Sequence, residues 1–470
     1  IHEVVMQDKK LSGFKKLFAP IDMTVGIPGK QIIAFAIPML IGNIAQQLYN
    51  TADSVIVGQY VGDNALAAVG SASPILNLLL VLFVGISVGA GIMVSQYFGA
   101  KQREDLSGTI GSCVTLTAIS SVIIMIVGPL VSGPLLKLLD TPDTILGWCE
   151  SYLNIIFIGI VGMAYYNILG GVLRGLGDSV SALLYLLVAT IVNIVLDLLF
   201  VASFDMGVAG VALATAIAQA LSAVLCFWKL LRMSDVFDFK KKYLKLHKKY
   251  AMMTIRLGLP SGLTQAIFSM AMIVVQSLTN SFGEMFIAAN VIVMRVDGFA
   301  MMPNFSFGTA MTTYAGQNVG AREFERVERG AKQGTWISMG VSAAITVMIL
   351  LFGGQLMGIF TKTRELVDMS MRMMQILAVG YIAMAVTQSL SGIMRGAGDT
   401  MTPMWISLIT TVAIRVPVAY GLAYLTRSEQ YPGGRCESVF VSLLVSWTLG
   451  AVITFICYRW GKWKQKAIGE

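Results

Sequence analysis

The sequence predicts an all-α integral membrane protein, with twelve transmembrane helices arranged as two homologous six-helix bundles. Three observations predict it. First, the chain repeats itself. Gly170-Gly171-Val172-Leu173-Arg174-Gly175-Leu176-Gly177-Asp178-Ser179 returns 221 residues later as Ser391-Gly392-Ile393-Met394-Arg395-Gly396-Ala397-Gly398-Asp399-Thr400. Gly99-Ala100 and Gly320-Ala321 keep that offset, as do Gly62 with Ala67-Ala68 and Gly283 with Ala288-Ala289. Ile37-Pro38 and Leu259-Pro260 match one residue out of step. Second, 56% of residues are hydrophobic and 13% charged, with mean hydropathy +0.74. A soluble domain carries about 25% charged residues. Third, the apolar stretches reach the roughly 20 residues that span a bilayer. They lack the alternation of β-barrel strands. A duplicated, apolar chain of this kind points to a transporter whose site lies near the repeat interface.

Each helix is delimited by its connections. Helix 1 (31–57) follows a tail rich in Lys9, Lys10, Lys15, Lys16 and Lys30, and leaves through 58–65, which has no Lys or Arg. Helix 2 (66–96) ends at Gly99-Ala100, with Lys101 and Arg103 beyond. Helix 3 (107–133) precedes Lys137, and helix 4 (145–172) ends at Arg174 and its Arg-Gly-x-Gly-Asp turn. Helix 5 (179–203) and helix 6 (207–232) flank 204–206, again without Lys or Arg. A basic stretch with Lys240, Lys241, Lys242, Lys245, Lys248 and Lys249 separates the halves. Helix 7 (254–280) and helix 8 (285–317) flank the uncharged-by-Lys/Arg 281–284, and helix 9 (327–355) follows Arg322 and Arg326. Helix 10 (366–393) ends at Arg395 and the second Arg-Gly-x-Gly-Asp turn. Helices 11 (401–427) and 12 (436–460) precede Lys462, Lys464 and Lys466. The expected borders are therefore an N-terminal segment 1–30, an N-lobe 31–232, a linker 233–253, a C-lobe 254–460 and a tail 461–470.

Basic residues concentrate in the connections after even-numbered helices and in both tails. The positive-inside bias puts both termini and the linker in the cytoplasm. A bacterial plasma membrane is the expected location. The net charge of +8 is explained by these loops. The lipid bilayer, not a nucleic acid, is the partner it suits. Five cysteines, odd in number, suggest no disulfide framework. The only histidines, His2 and His247, lie in polar segments. No G-x-x-x-x-G-K-[ST] loop is present, so the chain does not hydrolyse ATP itself. Without a catalytic constellation it reads as no enzyme, needing no cofactor beyond a coupling ion, and a monomer is expected.

The chemistry should then lie in polar groups inside the membrane. A charge at helix centre costs about 2.5–3.5 kcal/mol on insertion scales, so each is a functional candidate. These are Asp53, Asn193, Asp197, Arg295, Asp297 and Arg415. Asp53 and Asp197 lie about 10 Å and 9 Å from the outer ends of their helices, at 1.5 Å per residue. Asn193 shares a helix face with Asp197, being four residues away, and Thr215 lies about 12 Å from its own helix end. Two carboxylates, an amide and a hydroxyl in one layer suit a hard cation such as Na⁺, or a shared proton. A polar cluster that merely ties helices 1, 5 and 6 together is the structural alternative.

At these residues the chain resembles the MATE (multidrug and toxic compound extrusion) family over nearly its whole length. The resemblance rests on helix 1 from Ile37-Pro38 to Asn50-Thr51-Ala52-Asp53-Ser54-Val55, on Gly99-Ala100, on both Arg-Gly-x-Gly-Asp turns, and on Asn193-x-x-x-Asp197. It implies two six-helix bundles arranged as a V, and export of small organic cations or amphipathic drugs against Na⁺ or H⁺. It also implies a DinF-like coupling site at Asp53, Asn193, Asp197 and Thr215. The NorM-like branch uses acids in helices 7 and 10, where this chain has Gln265, Phe268, Met384 and Gln388. Candidates for a substrate cavity are Gln47, Asn50, Tyr152, Gln265, Arg295, Asp297 and Gln388. Arg174, Asp178, Arg395 and Asp399 are expected to form turn and gate-lock elements at the cytoplasmic ends of helices 4 and 10. A lipid-linked oligosaccharide flippase-like transporter is the alternative. It would want a cavity rich in cationic residues, whereas only Arg295 and Arg415 lie deep in the membrane.

Overall fold

In a computed structural model the described residues, 20–138 and 141–467, are almost wholly helical. Part of the expected N-terminal segment (1–19) and of the tail (468–470) lies outside them. Six helices precede the basic connector: α1 (Pro28–Tyr60), α2 (Asp63–Gly99), α3 (Arg103–Leu138), α4 (Asp143–Ile158 and Ile160–Gly175), α5 (Ser179–Asp197, then Leu198–Ser203) and α6 (Gly207–Leu231). Six follow it: α7 (Lys248–Ser281), α8 (Glu284–Gly320), α9 (Phe324–Gly358), α10 (Arg364–Ala378 and Gly380–Gly396), α11 (Met401–Leu408, Ile409–Ile414, Arg415–Leu425) and α12 (Ser438–Trp460). Nine helices are long and apolar enough to cross a membrane, or 11 if each bent pair is one span, among the described residues. The twelfth, α2, is a helix of 37 residues. This is a multi-pass membrane protein. Most helices run about a turn past the expected ends, and α7 starts at Lys248, so the last residues of the expected linker are helical.

Two compact units divide the chain. One comprises residues 20–22 and Ile37–Leu259, the other Met23–Ala36 and 260–467. The dividing points fall inside α1 and α7, beside Pro38 and Pro260, and not at the expected borders 31 and 254. In the first unit, Val57, Ala68, Cys149, Leu153, Phe157 and Ala212 belong to one buried cluster. In the second, Phe286, Tyr381, Phe440 and Trp447 form the aromatic centre, with ring centroids 5.8 Å (Tyr381–Trp447) and 6.0 Å (Phe286–Phe440) apart.

The repeat is written into the backbone. Left-handed φ values recur at the 221-residue offset: Gly62 (110°) with Gly283 (92°), Lys101 (58°) with Arg322 (61°), and Gly177 (88°) with Gly398 (99°). A side chain at Gly177 would also meet the Ile21 carbonyl at 2.2 Å. The bends repeat too. α4 turns by 54° at Gly159 and α10 by 43° before Gly380. A Cβ on Gly159 would stand 2.5 Å from the Ala216 methyl, and one on Gly380 2.6 Å from the Trp447 ring.

The Arg-Gly-x-Gly-Asp turns close the helices that carry these bends. Just before the turns, α4 touches α2 backbone to backbone: Cβ atoms on Gly171 and Gly175 would meet the carbonyls of Ser87 and Gly91 at 2.6 and 2.7 Å. α10 touches α8 in the same way. Gly392 and Gly396 face the carbonyls of Gly308 and Thr312, at 2.4 and 2.3 Å for an added Cβ. Asp178 then caps α5, accepting from Ser181 N (2.9 Å) and Oγ (2.7 Å). Asp399 does the same for Thr402, at 3.2 and 2.7 Å. Each cap carries an ion pair, Lys229 with Asp178 (3.3 Å) and Lys466 with Asp399 (2.8 Å). The Arg174 guanidinium reaches Ser87 Oγ at 3.4 Å.

An arginine also grips the segment that leads into each lobe's borrowed helix end. Arg103 donates to the carbonyls of Ser234 and Asp235 and to Asp238 Oδ1 (3.0 Å). Its guanidinium holds the Asp238 carboxyl below the usual carboxylate range. In the second unit Arg326 donates to the carbonyls of Met23, Val25 (2.8 Å) and Gly26 (2.7 Å). Gln317 Oε1 accepts from Met23 N at 2.9 Å, and Gln333 Oε1 from Gly29 N at 2.8 Å.

The glycine contacts make a stability prediction. Gly175→Ala and Gly396→Ala each force a methyl into backbone, and overpacking of this kind costs about 1–3 kcal/mol. Thermal unfolding in detergent, followed by size exclusion, should show a lower Tm for both. Gly354→Ala should leave it unchanged, because nothing lies within 4 Å of that site. Equal Tm values in all three would show that the helices separate easily at these glycines.

Candidate functional site

The first unit buries an acid pair among apolar helices. α1 carries Tyr49 and, one turn on, Asp53; α5 carries Asn193 and, one turn on, Asp197. Residues four apart share a helix face, so each helix presents two polar groups to the other. Asn193 and Asp197 are fully buried, at 0% exposure, and Asp53 is half-buried. With its amide nitrogen turned toward the acids, Asn193 donates to Asp53 Oδ1 (2.8 Å) and to Asp197 Oδ2 (3.1 Å). The two carboxyl groups are thus bridged by one amide. Asp197 Oδ1 has no partner.

Directly after Asp197 the helix widens into a π turn, Leu198–Ser203. Such turns insert an extra residue per loop and recur at functional sites. Here the turn begins at the acid.

Thr215 on α6 joins this group through a tyrosine. Tyr49 Oη donates to Thr215 Oγ1 at 3.3 Å. Tyr152 of α4 is buried in the apolar cluster of the first unit. Asp53, Asn193, Asp197 and Thr215 are therefore brought together, three of them directly and Thr215 by way of Tyr49. Sequence reading missed Tyr49. Its spacing of four residues before Asp53 was the available signal. The groups brought together are two carboxyls, the amide N–H₂ of Asn193, a threonine hydroxyl and the Tyr49 phenol. Two carboxyl groups bridged by one amide in apolar surroundings favour a shared proton or cation, since two bare charges there repel strongly.

The expected substrate-cavity residues are scattered. Gln47 is half-buried and Asn50 exposed, and their backbone carbonyls accept from Thr51 and Ser54 hydroxyls. Tyr152 is buried among apolar side chains of the first unit. In the second unit Gln265 and Arg295 are exposed, and Gln388 is half-buried beside Gly308. Asp297 accepts from Tyr381 Oη at 3.0 Å and makes no ion pair with Arg295. Of the two arginines expected deep in the membrane, Arg415 is 2% exposed, while Arg295 faces away from the interior of its lobe.

Comparison with known proteins agrees with this architecture. The MatE family profile matches residues 38–199 and again 260–421, two stretches that begin 222 residues apart. The chain is 28% identical to the probable multidrug resistance protein YoeA of Bacillus subtilis, covering 92% of this chain and 94% of that one. It is 29% identical to the probable multidrug resistance protein YpnP of the same organism, covering 94% and 97%. Among solved structures, a MATE in the bent conformation superposes with TM-score 0.86 at 24% identity, over 96% of this chain and 97% of that one. A MOP superfamily transporter from Pyrococcus furiosus gives 0.85 at 24%, over 93% and 96%. With both halves matched by one profile, and the twelve helices and their repeat in place, the chain belongs to the MATE family.

Proposed function

We propose that this protein is a secondary active antiporter that exports cationic or amphipathic drugs in exchange for H⁺ or Na⁺. The single observation that carries this reading is the Asn193 bridge: an amide joins two carboxyl groups that have no arginine or lysine partner among the described residues. A structural acid buried in apolar surroundings is normally paired with a fixed cation, because an isolated charge is costly there. Leaving the pair without one keeps a place for an exchangeable cation. Asp53, Asn193, Asp197 and Thr215 form the coupling site, with Tyr49 linking Thr215 to it. The names of the Bacillus subtilis relatives, both probable multidrug resistance proteins, support drugs as the cargo. The distribution of Lys and Arg supports cytoplasmic termini in a bacterial plasma membrane. The protein acts as a monomer.

Exchange follows from charge. With the pair deprotonated and free of Na⁺, its negative charge favours an organic cation nearby. Proton or Na⁺ binding removes that charge and releases the drug. Each ligand shifts the equilibrium only by its different affinity for the two states. The coupling is reciprocal, so drug weakens ion binding by the factor by which ion weakens drug binding.

Two experiments test this. In the first, ethidium efflux is followed in everted vesicles under separately imposed Na⁺ and H⁺ gradients. Asp53→Asn and Asp197→Asn should each reduce gradient-driven efflux to background at normal expression. The double variant should add little, as expected for groups acting as one unit. Wild-type rates in either single variant, or additive partial losses, would show that the acids do not couple transport. In the second, binding of a fluorescent cation to purified protein is measured as pH falls or Na⁺ rises. Affinity should fall at least tenfold in one of the two titrations; constant affinity in both would exclude direct competition.

A further inference from the structure

The first unit carries an apolar groove that takes no part in the acid pair. It runs between α3, α4 and α6 and has a volume of about 570 Å³. Small residues make its floor, at Gly159 and Gly162 of α4 and Ala220 of α6. A Cβ on Gly162 would stand 2.6 Å from Ala220 N. The side chains of Val114, Val224 and Phe227 form its walls. Val224 is 64% exposed, so the groove opens outward. Tyr165 brings a polar side chain to the lining, and its hydroxyl already donates to the Val114 carbonyl at 2.9 Å. An occupant therefore meets apolar surface.

The groove has the length of one leaflet. From Ala216 to Phe227 its α6 side rises about 16 Å, at 1.5 Å per residue. Half the hydrocarbon core of a bilayer is about 15 Å. Spread over that length, 570 Å³ gives a mean section of about 36 Å². A helix about 10 Å across needs roughly 80 Å², so the groove suits a hydrocarbon chain and not a helix. One end lies at the bend of α4, beside Ala216 in the middle of α6. The other end lies by the basic connector, which is pinned to two sides of the groove. Phe239 packs edge-on against Phe227, with ring centroids 5.4 Å apart. Thr115, next to Val114, donates to the Leu244 carbonyl. Between these pins the chain reads Lys240-Lys241-Lys242-Tyr243, and Lys245 follows. Lys240 and Lys242 pair with Asp238 (3.9 Å) and Glu104 (3.6 Å). Lys241, Lys245 and Arg232 are exposed, and among the described residues no carboxylate lies within 4.0 Å of them. The Arg232 guanidinium stacks on the exposed Trp228 ring, 3.7 Å from its centroid, at the end of α6.

We propose that the groove and the connector together bind one anionic glycerophospholipid, with an acyl chain in the groove and the phosphate against Arg232, Lys241 and Lys245. Basic clusters next to the end of a membrane helix attract anionic headgroups, and an exposed Trp marks the headgroup level. A zwitterionic lipid would fill the groove equally well but would leave those three cations without a counter-charge. The lipid touches α3, α4, α6 and the connector at once. Because it binds only where the folded protein brings them together, it stabilises them by mass action.

The test uses the full-length protein, stripped of lipid in detergent at fixed pH and ionic strength, with Tm followed as lipid is added. Phosphatidylglycerol should raise the Tm by a few degrees and saturate. Phosphatidylcholine with the same chains should need at least tenfold more, and glycerol phosphate, a headgroup without chains, should have no effect. Two variants separate the parts of the site. Val224→Trp fills the groove from an exposed position and should weaken the phosphatidylglycerol response at least tenfold. Arg232→Gln combined with Lys241→Gln and Lys245→Gln, all exposed, should erase the preference over phosphatidylcholine. Equal responses to the two lipids in wild type, an equal response to glycerol phosphate, or wild-type behaviour in either variant overturns the proposal. So does a dimer on size exclusion that Val224→Trp abolishes while no lipid preference is seen, which would give the groove to a second copy of the chain.

Discussion

Inside hydrocarbon no water is available to solvate a polar atom, so each one must find its partner within the protein. That constraint orders everything else in this chain. It makes the backbone helical from end to end, because a helix satisfies its own N–H and C=O groups. It sends Ser and Thr hydroxyls back to carbonyls one turn earlier, as with Thr117 on Cys113 (2.7 Å) and Ser306 on Met302 (2.8 Å). It ends helices with side chains that take up free backbone groups, such as Asp178 and Asp399. It also makes exceptions conspicuous. Of the twelve buried side-chain atoms without a partner among the described residues, the Asp197 oxygen and the Arg415 Nε belong to ionisable side chains, and each lies beside a π turn. A π turn disturbs the regular backbone ladder, and in both lobes that disturbance coincides with the charged residue.

Much of this was legible in the residues. A duplicated motif with three landmarks at one offset is a strong signal, and the backbone repeats it in the paired φ values and the paired bends. The glycines of the repeat are required because backbone meets backbone at van der Waals distance, a need that sequence can display without alignment when the same need occurs twice. The acid pair was legible because depth along a helix follows from residue count. Rotation about the helix axis was not. Where a helix is apolar nearly all round, no periodicity marks which side faces inward, so Arg295 and Arg415 looked alike and turned out opposite. The π turns were hidden for the same reason, since an extra residue shifts no visible pattern in a uniform apolar run. The exchange of helix ends, with Met23–Ala36 in the second unit and 248–259 in the first, depends on contacts some 300 residues apart, such as Arg326 with Met23, and no local feature announces it.

The two halves therefore share a frame and differ in charge, and the reason lies in where the frame is fixed. The α2–α4 and α8–α10 contacts hold each bundle through glycine and carbonyl atoms, at positions where even a methyl is excluded. α5 and α11 bear the buried polar residues Asn193, Asp197 and Arg415 and are not part of those contacts. Asn193 on α5 and Arg415 on α11 lie outside the glycine contacts, so chemistry there is free to diverge while the fold stays. The consequence is a division of labour in sign. In one half two acids share one amide and have no arginine or lysine partner among the described residues. In the other a fixed cation lies near, but not against, an acid held by Tyr381, and the charge is almost balanced from within. The antiport proposed for this protein needs its variable charge in one place only. In that proposed antiport, a second exchangeable site in the other half would bind its own ion and loosen the tie between ion and cargo, and a buried guanidinium beside a tyrosine-held acid keeps that half constant.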